Sequence, residues 1–436
     1  MAAQQSAAAG ATEDTRKLLS DLGIGSADEL FAEIPPELRW ERPLRLPETP
    51  SEAELAARLA ELAIPNTHLD EAVCFLGGGV CDHYVPAVVD AVAAALGPQP
   101  IGHRSPQRLL QLVFELQALF AELTGLEAAL APLADAPTAL AEAICAALRA
   151  TRRQQVVVTR SLHPRYRAIL RTMLAGTGVE VAEAGYHGGV TRPDQAEHLL
   201  SDQAACLVVQ HPNYFGCLED VRTLAAAAHR HGALLAVVAD PISLGLLGLP
   251  GEAGADVAVA DAQPLGFPAS WGGSIGLLAC RGALAEHAAT WRVERNGKGF
   301  AAVGEAREPL RADRVARPAA YLAAVGGEGL RRAASLSVAR AHEAQRRICA
   351  VEGFDPRFRA PFFKEFVVES AAPPEDVAEE LLQSNILGAL PLQADYPEMD
   401  HCSLFAATER RTPTDITMLA HALDLMIDLS EELEGL

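Results

Sequence analysis

Lysine is scarce in this sequence. The 436 residues contain 36 lysines and arginines together, but lysine itself occurs only at Lys17, Lys298 and Lys364. No lysine lies between residues 18 and 297. Any reaction that needs a lysine amine therefore has three candidates, and the long central part of the chain offers none of them.

Basic charge is also scarce relative to acidic charge. The chain has 57 aspartates and glutamates and a formal net charge of −21, which argues against nucleic acid or an anionic membrane as a partner. No stretch approaches the ~18 uninterrupted apolar residues of a membrane span, and the N-terminus lacks the basic and apolar regions of a secretory signal. We therefore expect a soluble, cytoplasmic protein.

Closely spaced cysteine ligands are absent as well. The eight cysteines are scattered, mostly within apolar runs, with no Cys-x-x-Cys motif and no Cys/His ligand pair. This pattern argues against a thiolate metal site and favours buried, reduced thiols in a reducing compartment. Half of the residues are hydrophobic, so the chain can bury a large core, and at roughly 150 residues per domain its length predicts two or three domains.

The pattern of residues divides the chain into four parts. Residues 1–17 are predicted to be a disordered tail, and residues 18–69 an arm of short helices. Residues 70–318 alternate short apolar runs with amphipathic helices, which indicates a mostly parallel sheet covered on both faces. Residues 319–436 are predicted to form a smaller α/β domain. The predicted strands of the large domain are 155–159, 179–184, 205–210, 234–240, 256–261 and 275–280.

Several helix ends are predicted from their capping residues. Ser26, followed three residues later by Glu29, has the spacing of a capping box. A second helix is predicted to start near Ser51. In the large domain, Ser161 is a candidate N-cap, and a helix is predicted over residues 219–231.

Asp240 is the most suggestive single residue. It ends a predicted central strand, and open α/β sheets bind ligands at the carboxyl ends of their strands. An aspartate at this place can pair with a pyridinium nitrogen. An equally weighted alternative is that Asp240 only caps the turn that begins at Pro241. The loop over residues 261–276, which contains Gly272 and Gly273, joins two strands at the same sheet edge.

The glycine-rich segment 75–86 contains three consecutive glycines but fits neither the dinucleotide-binding fingerprint nor the P-loop. A structural turn is the favoured interpretation, with His83 and Tyr84 as weak functional candidates.

Two further segments follow predicted strands. In 161–167, His163 lies near a helix N-terminus and could meet an anionic cofactor together with two arginines, although a capped surface helix explains the same pattern. In 210–220, Asn213 and Tyr214 either face a pocket or build the turn.

Together these segments resemble one protein family, the N-terminal (alpha) subunit of the glycine cleavage system P-protein, or subunit 1 of decarboxylating glycine dehydrogenase. The resemblance begins in the arm and reaches the last helix. It rests on FLGGGVCDHYVPAVV, VVVTRSLHPRYRAILRT, VVQHPNYFGCLEDV, VVADPISLGLL, GADVAVADAQPLGFPASWGG, FFKEFVV and LFAATERRT.

The resemblance implies an α/β fold of the PLP-dependent transferase type (fold type I, like aspartate aminotransferase), with an N-terminal helical arm and a small C-terminal α/β domain. It also implies a heterotetramer with a beta subunit that holds PLP. That assembly decarboxylates glycine and passes the aminomethyl group to the lipoyl arm of the H-protein.

In PLP-binding relatives, the Schiff-base lysine follows a histidine just after the strand that corresponds to 256–261. This sequence has Gln263 and Pro264 there, and the three lysines are predicted to lie in a tail, a loop and a C-terminal strand. We therefore expect no catalytic residue and no covalently held PLP in this chain, which would be inactive alone. The resemblance leaves as candidate cofactor-facing or inter-subunit residues Asp240, Gln263, Gly272, Gly273, His163, Asn213 and Tyr214.

Segments 99–107, 134–138 and 304–318 depart from the family pattern. They keep open an alternative, a non-catalytic paralogue with a binding or regulatory role. A third and lowest-ranked hypothesis is a self-sufficient PLP aminotransferase.

Overall fold

The computed structural model describes residues 13–40, 42, 44–69, 71–271, 273–304 and 309–434. The chain divides into two compact units, Met1–Asn66 and Thr67–Leu436. This division lies close to the predicted end of the arm. Among the described residues, no helix is long and apolar enough to cross a membrane.

The first unit contains helix α1 (Glu13–Asp21), helix α2 (Glu52–Ala63) and two short 3-10 helices, Ala27–Phe31 and Pro36–Leu38. The predicted helix start at Ser51 is confirmed, because its Oγ accepts from the Glu54 amide while the Glu54 carboxylate accepts from the Ser51 amide.

The predicted capping box at Ser26 is wrong, since its side chain caps nothing and Glu29 instead accepts from the Gly25 amide at 3.1 Å. Residues 13–17, assigned to the tail from the sequence, belong to α1, while 1–12 lie outside the described residues.

The second unit carries the α/β body. Its helices are α3 (Ala87–Leu96), α4 (Gln107–Thr124), α5 (Ala136–Thr151), α6 (Pro164–Leu174), α7 (Pro193–Leu199), α8 (Val221–Arg230), α9 (Gly282–Ala285), α10 (Ala312–Ile348), α11 (Pro374–Gln383) and α12 (Pro413–Glu434). Its longer strands and the pairs that flank them are β1 (Val73–Cys74), β2 (Pro100–Ile101), β3 (Ala128–Ala129), β4 (Gln155–Thr159), β5 (Glu180–Ala184), β6 (Tyr186–His187), β7 (Val190–Thr191), β8 (Ala204–His211), β9 (Leu234–Ala239), β10 (Val257–Asp261), β11 (Gly276–Cys280), β12 (Trp291–Asn296), β13 (Gly299–Gly304), β14 (Leu310–Arg311), β15 (Phe354–Pro356), β16 (Glu365–Ser370), β17 (Ile386–Leu387), β18 (Leu390–Pro391) and β19 (Cys402–Ala406).

The central sheet has the strand order β3-β11-β10-β9-β8-β4-β5. The pairs from β10 to β5 are parallel, whereas β11 is antiparallel to both of its neighbours. The predicted mostly parallel sheet is therefore confirmed. Its central strands are almost continuously buried, which explains why they read as uninterrupted apolar runs rather than as alternating ones.

Parallel strands end at one edge of the sheet, so β4, β8, β9 and β10 deliver their following residues to the same place. This is how the predicted candidates, which lie in widely separated segments of the chain, come close in space.

Two predicted helix boundaries near this edge are wrong for one shared reason. Helix α6 is capped by His163, whose side chain accepts from the Arg165 amide, and α8 starts only at Val221. Ser161 and Glu219, which were predicted as a cap and a helical residue, instead hydrogen-bond each other in the interior at 2.8 Å. A buried carboxylate needs such partners, and this requirement prevails over the local helix signal.

A second, antiparallel sheet with the order β15-β16-β19-β18 forms the C-terminal part. Helix α10 leads to it and bends at Gly326, whose φ of 59° is not helical. This helix crosses the predicted domain boundary at 318/319, and the division there stays a prediction. The sheet places the start of β16 beside the carboxyl ends of the central strands.

Candidate functional site

A small cavity of about 70 Å³ lies at the carboxyl edge of the central sheet. Its wall combines the ends of β8, β9 and β10, the glycine-rich turn and the start of β16. The lining residues are Gly79, Cys81, His163, Tyr166, Gln210, Tyr214, Val238, Ala239, Asp240, Pro241, Asp261, Gln263, Pro264, Lys364 and Glu365.

Lys364 and Asp240 form an ion pair in this cavity. Lys364 Nζ lies 2.5 Å from Asp240 Oδ2, and Lys364 is only 3% exposed. The other Asp240 oxygen, Oδ1, accepts from the Ile242 amide at 2.9 Å. Asp240 thus caps the turn that begins at Pro241, as one sequence interpretation predicts, and also forms an ion pair with Lys364 in the cavity. The sequence predicts Lys364 in a C-terminal strand, and the structure places it directly before β16, at the cavity.

The ion pair continues into a buried chain of hydrogen bonds. Lys364 Nζ also lies 2.8 Å from His83 Nε2, and His83 Nδ1 lies 2.8 Å from Glu409 Oε2. Because an ammonium group can only donate, His83 Nε2 must accept, and Nδ1 then carries the proton that it donates to Glu409. Burial raises the pKa of Glu409, whereas the hydrogen bonds from His83 and the Tyr84 amide lower it, and the pKa stays below its ordinary value.

The glycine-rich turn is held from two sides. The Gly78 amide donates to Glu365 Oε1 at 2.7 Å, and the Gly78 carbonyl accepts from His163 Nε2 at 2.8 Å. A Cβ on Gly79, whose φ is +110°, would lie 2.8 Å from His163 Nε2. The ring of His163 also meets that of Tyr214 edge to face, with centroids 4.9 Å apart. The turn is therefore a structural part of the cavity wall.

The side chain of Gln263 connects the loop after β10 to the glycine-rich turn through hydrogen bonds. Its Nε2 donates to the carbonyls of Cys81 at 3.0 Å and Phe267 at 3.1 Å, and its Oε1 accepts from the Cys81 amide at 3.2 Å. Pro264, the next residue, lines the cavity without an amine. Gln263 thus has a structural role at this place, and Pro264 supplies only apolar surface.

The structure brings Asp240, Gln263, His163 and Tyr214 together around the cavity. Asn213 lies behind its wall, fully buried, and donates to Glu219 Oε1 and to the Gly189 carbonyl at 2.8 Å each. Gly273 is not part of the lining, and Gly272 lies outside the described residues.

Carboxylates dominate the charge around the cavity. Burial raises the pKa of Asp261, and the negative charges of Asp135 and Asp240 add to this. Burial also raises the pKa of Glu365, although Lys364 counteracts it. For Lys364, burial lowers the pKa, but Asp240, Cys81 and Glu365 together raise it above its ordinary value. The amine therefore remains an ammonium group, which is not a nucleophile.

These residues do not fit a bound PLP, in keeping with a resemblance that implies PLP in the partner subunit. A cavity of about 70 Å³ is far below the ~300 Å³ at which small-molecule pockets begin. Asp240, the partner that a pyridinium nitrogen would need, already pairs with Lys364. Asp261 and Glu365 in the lining are carboxyl groups, so neither supplies the cation that would favour a phosphate group. No chemical step through PLP is therefore assigned to this chain.

His211, at the end of β8, predicts a pH-dependent stability. Its Nδ1 accepts from the Glu219 amide at 3.0 Å, and burial lowers its pKa from 6.5 to about 4. At a pH between about 4 and 6.5, His211 is protonated in the unfolded chain but not in the folded chain. The free energy of unfolding therefore falls as the pH drops below 6.5. We expect His211 to contribute about 2 kcal/mol of this loss between pH 7.5 and 5.

Urea unfolding at both pH values, in the wild type and in His211→Gln, measures this contribution. The buried carboxyl groups titrate in both proteins, so the difference between the two pH slopes reports His211. His187→Gln, at an exposed position, is the control and should keep the wild-type slope. Equal slopes in all three proteins would contradict the prediction.

The segments that depart from the family pattern meet in space. Strand β2, from the first segment, pairs with β14, from the third. A second cavity, of about 380 Å³, is lined by residues of the second and third segments, including Ala134, Thr138, Pro309, Arg311 and Arg314. The departures are therefore one local change, outside the cavity at the sheet edge. Residues 305–308 of the third segment lie outside the described residues.

Sequence reasoning missed Lys364, Glu365 and Glu409 as parts of the site. A signal was present, because Lys364 and Glu365 are adjacent charges between the apolar runs 362–363 and 366–368. Charges within a buried strand require partners, although the sequence alone does not say which ones.

The comparisons with known proteins agree with this fold. The family model of the glycine cleavage system P-protein matches residues 7–288. A probable glycine dehydrogenase (decarboxylating) subunit 1 of Desulforamulus reducens is 37% identical over 94% of this chain and 97% of that protein. The protein of the same description from Carboxydothermus hydrogenoformans is 38% identical with the same coverage.

Among solved structures, glycine decarboxylase (P-protein) of the glycine cleavage system, in inhibitor-bound form, is 37% identical with a TM-score of 0.86, covering 95% of this chain and 98% of that one. A glutamate decarboxylase from Lactobacillus brevis, 12% identical, has a TM-score of 0.73 over 93% of this chain and 97% of its own. These neighbours have the PLP-dependent fold type I, which confirms the predicted fold class. The chain belongs to the glycine cleavage system P-protein family.

Proposed function

We propose that this chain is subunit 1 of a two-subunit glycine decarboxylase and that a homologous second subunit binds the PLP. Relatives described as subunit 1 align with 94% of the chain, and that description implies a second subunit. The observation that supports the assignment of PLP to the partner is the cavity itself, where Gln263 and Pro264 supply no amine for a Schiff base and the lysine in the lining, Lys364, is paired with Asp240.

In the assembled enzyme, PLP in the partner would supply the electron sink for decarboxylation of glycine. The aminomethyl group would then pass to the lipoyl arm of the H-protein. We place the assembly in the cytoplasm, as a heterotetramer. The role of this chain would be to complete the interface, with Lys364 and Gln263 maintaining the structure of its own sheet edge.

Co-expression with the second subunit from the same organism tests this proposal. We expect the two chains to co-purify as a stable complex, and the complex to exchange the glycine carboxyl group with bicarbonate in the presence of lipoylated H-protein. Either subunit alone is the control and should show no exchange. Absence of a complex would overturn the proposal.

The alternative, a non-catalytic paralogue, predicts a different result in the same experiment. The complex would form but would not exchange bicarbonate, because the altered segments around the second cavity would fail to support catalysis. A grafted variant in which residues 134–138 carry the family pattern would then be expected to restore exchange.

A further inference from the structure

We infer that Lys364 prevents PLP from binding in this chain's own cavity. Its ammonium group is the counter-ion of Asp240 and occupies the place where the ring nitrogen of PLP would pair with that carboxylate. The inference rests on the proposed function, in which PLP belongs to the partner subunit. The chain would then exclude PLP for two reasons. It lacks a Schiff-base lysine, and it has Lys364 beside Asp240.

Each carboxylate oxygen of Asp240 already has a partner within this chain. Oδ2 pairs with Lys364 Nζ at 2.5 Å, and Oδ1 accepts from the Ile242 amide at 2.9 Å. A pyridinium nitrogen that paired with Oδ2 would have to take the place of Lys364. That displacement would leave a buried ammonium group without its counter-charge, which is strongly unfavourable.

Lys364 is also held where it is. Its ammonium group donates to His83, and His83 donates to Glu409, at 2.8 Å each. Just before it along the chain, the Phe363 amide donates to the Gly216 carbonyl at 3.0 Å. Residues from several separate parts of the chain therefore fix one cation in place, which a mobile surface lysine would not show.

The position of Lys364 differs from that of a Schiff-base lysine. In PLP the aldehyde carbon lies opposite the ring nitrogen, across the ring. An amine placed against Asp240 occupies the nitrogen end and cannot reach the aldehyde of a ring that pairs with the same carboxylate. The charge of Asp240 also keeps the pKa of Lys364 above its ordinary value, so the amine stays protonated.

PLP binding to the purified full chain tests the inference, with equilibrium dialysis as the readout. We expect the wild type to bind PLP weakly, and Lys364→Ala to lower its dissociation constant at least about tenfold, since a freed Asp240 offers a charge-assisted hydrogen bond. The double variant Lys364→Ala/Asp240→Asn should lose this gain. Lys298→Ala, at an exposed turn, is the matched control and should behave as the wild type.

A folded Lys364→Ala protein that binds PLP no better than the wild type would overturn the inference, as would a gain that survives in the double variant. If Lys364→Ala does not fold, the wild type still decides the matter. After incubation with PLP and reduction with borohydride, peptide mass spectrometry should find no pyridoxyl group on Lys364, and finding one there would overturn the inference. Neither result depends on the second subunit, so both are distinct from a failure to form the complex.

Discussion

Gly216→Ala should lower the free energy of unfolding by about 4 kcal/mol or more, among the largest single-residue effects. Gly216 has a φ of +80°, and a Cβ there would lie 1.8 Å from the backbone oxygen of Glu365. Backbone cannot rotate away as a side-chain end can, so either the 210–220 turn or the start of β16 must move. Either movement separates the strand that carries Lys364 from the carboxyl edge of the central sheet.

Gly176→Ala provides a matched control for this variant. Gly176 also has a left-handed φ, +76°, but nothing lies within 4 Å of the place that a Cβ would take there. The same substitution at this position carries only the backbone strain, about 1–2 kcal/mol. Urea unfolding of both variants measures the difference, and an equal loss in the two would show that the contact with Glu365 is not what makes Gly216 necessary.

Asp82→Ala is expected to have the second largest effect, a loss of about 3 kcal/mol in the free energy of unfolding, because it leaves the buried Arg411 without its counter-charge and removes the partner of the more exposed Arg410. The buried Asp82 accepts from Arg410 Nη1 at 2.6 Å and from Arg411 Nη2 at 2.8 Å. Its carbonyl also accepts from the Thr408 hydroxyl at 2.6 Å. These contacts tie the glycine-rich turn to the segment that carries Glu409.

The exposed pair Arg192–Asp194 offers a control with the same chemistry, an arginine and an aspartate 2.6 Å apart. Asp194→Ala should change the urea midpoint little, because exposed ion pairs contribute little. Hydrogen exchange adds a local readout, since Asp82→Ala should speed amide exchange in residues 75–86 and 408–411 before the rest of the chain. A change as small as that of Asp194→Ala, with unaltered local exchange, would contradict the prediction.

Gly216→Ala and Asp82→Ala both test how the position of Lys364 depends on contacts between the central sheet and the C-terminal segments. Asp82, His83 and Gly216 each join the large sheet, or the turns at its edge, to the segments around β16 and Glu409. If these connections hold Lys364 against Asp240, then the variants that weaken them should also weaken the exclusion of PLP. Gly216→Ala can be tested for PLP binding at a temperature where it remains folded.

Much of the fold could be predicted because its signals are local. The apolar runs that became β4, β8, β9 and β10 are continuous in sequence, and a strand that is buried on both faces needs no distant partner to be recognised. Asp240 was placed at the correct sheet edge for the same reason, since it follows its strand directly. The helix that starts after Ser51 was also found from its local capping signal.

Predictions failed where distant residues compete with a local pattern. In the sequence, Ser161 has the pattern of a helix cap and Glu219 that of a helical residue. In the structure, the Ser161 hydroxyl instead donates a buried hydrogen bond to the Glu219 carboxylate at 2.8 Å. Lys364 was predicted to lie in a C-terminal strand and was not recognised as part of the site, because nothing near it in sequence shows which carboxylate it meets. Its partners are separated from it by long stretches of chain, and only the meeting of β16 with the central sheet brings them together.

The sequence by itself determined that Gln263 and Pro264 follow strand β10 and that lysine is scarce, so no amine stands at the position where the resemblance implies the Schiff-base lysine of PLP-binding relatives. It also determined the succession of strands and helices, because apolar periodicity and capping are local properties of the chain. Only the tertiary structure decided that one of the three lysines lies in the cavity and pairs with Asp240. That pairing depends on the packing of two sheets, and a buried charge takes the partner that packing brings within reach.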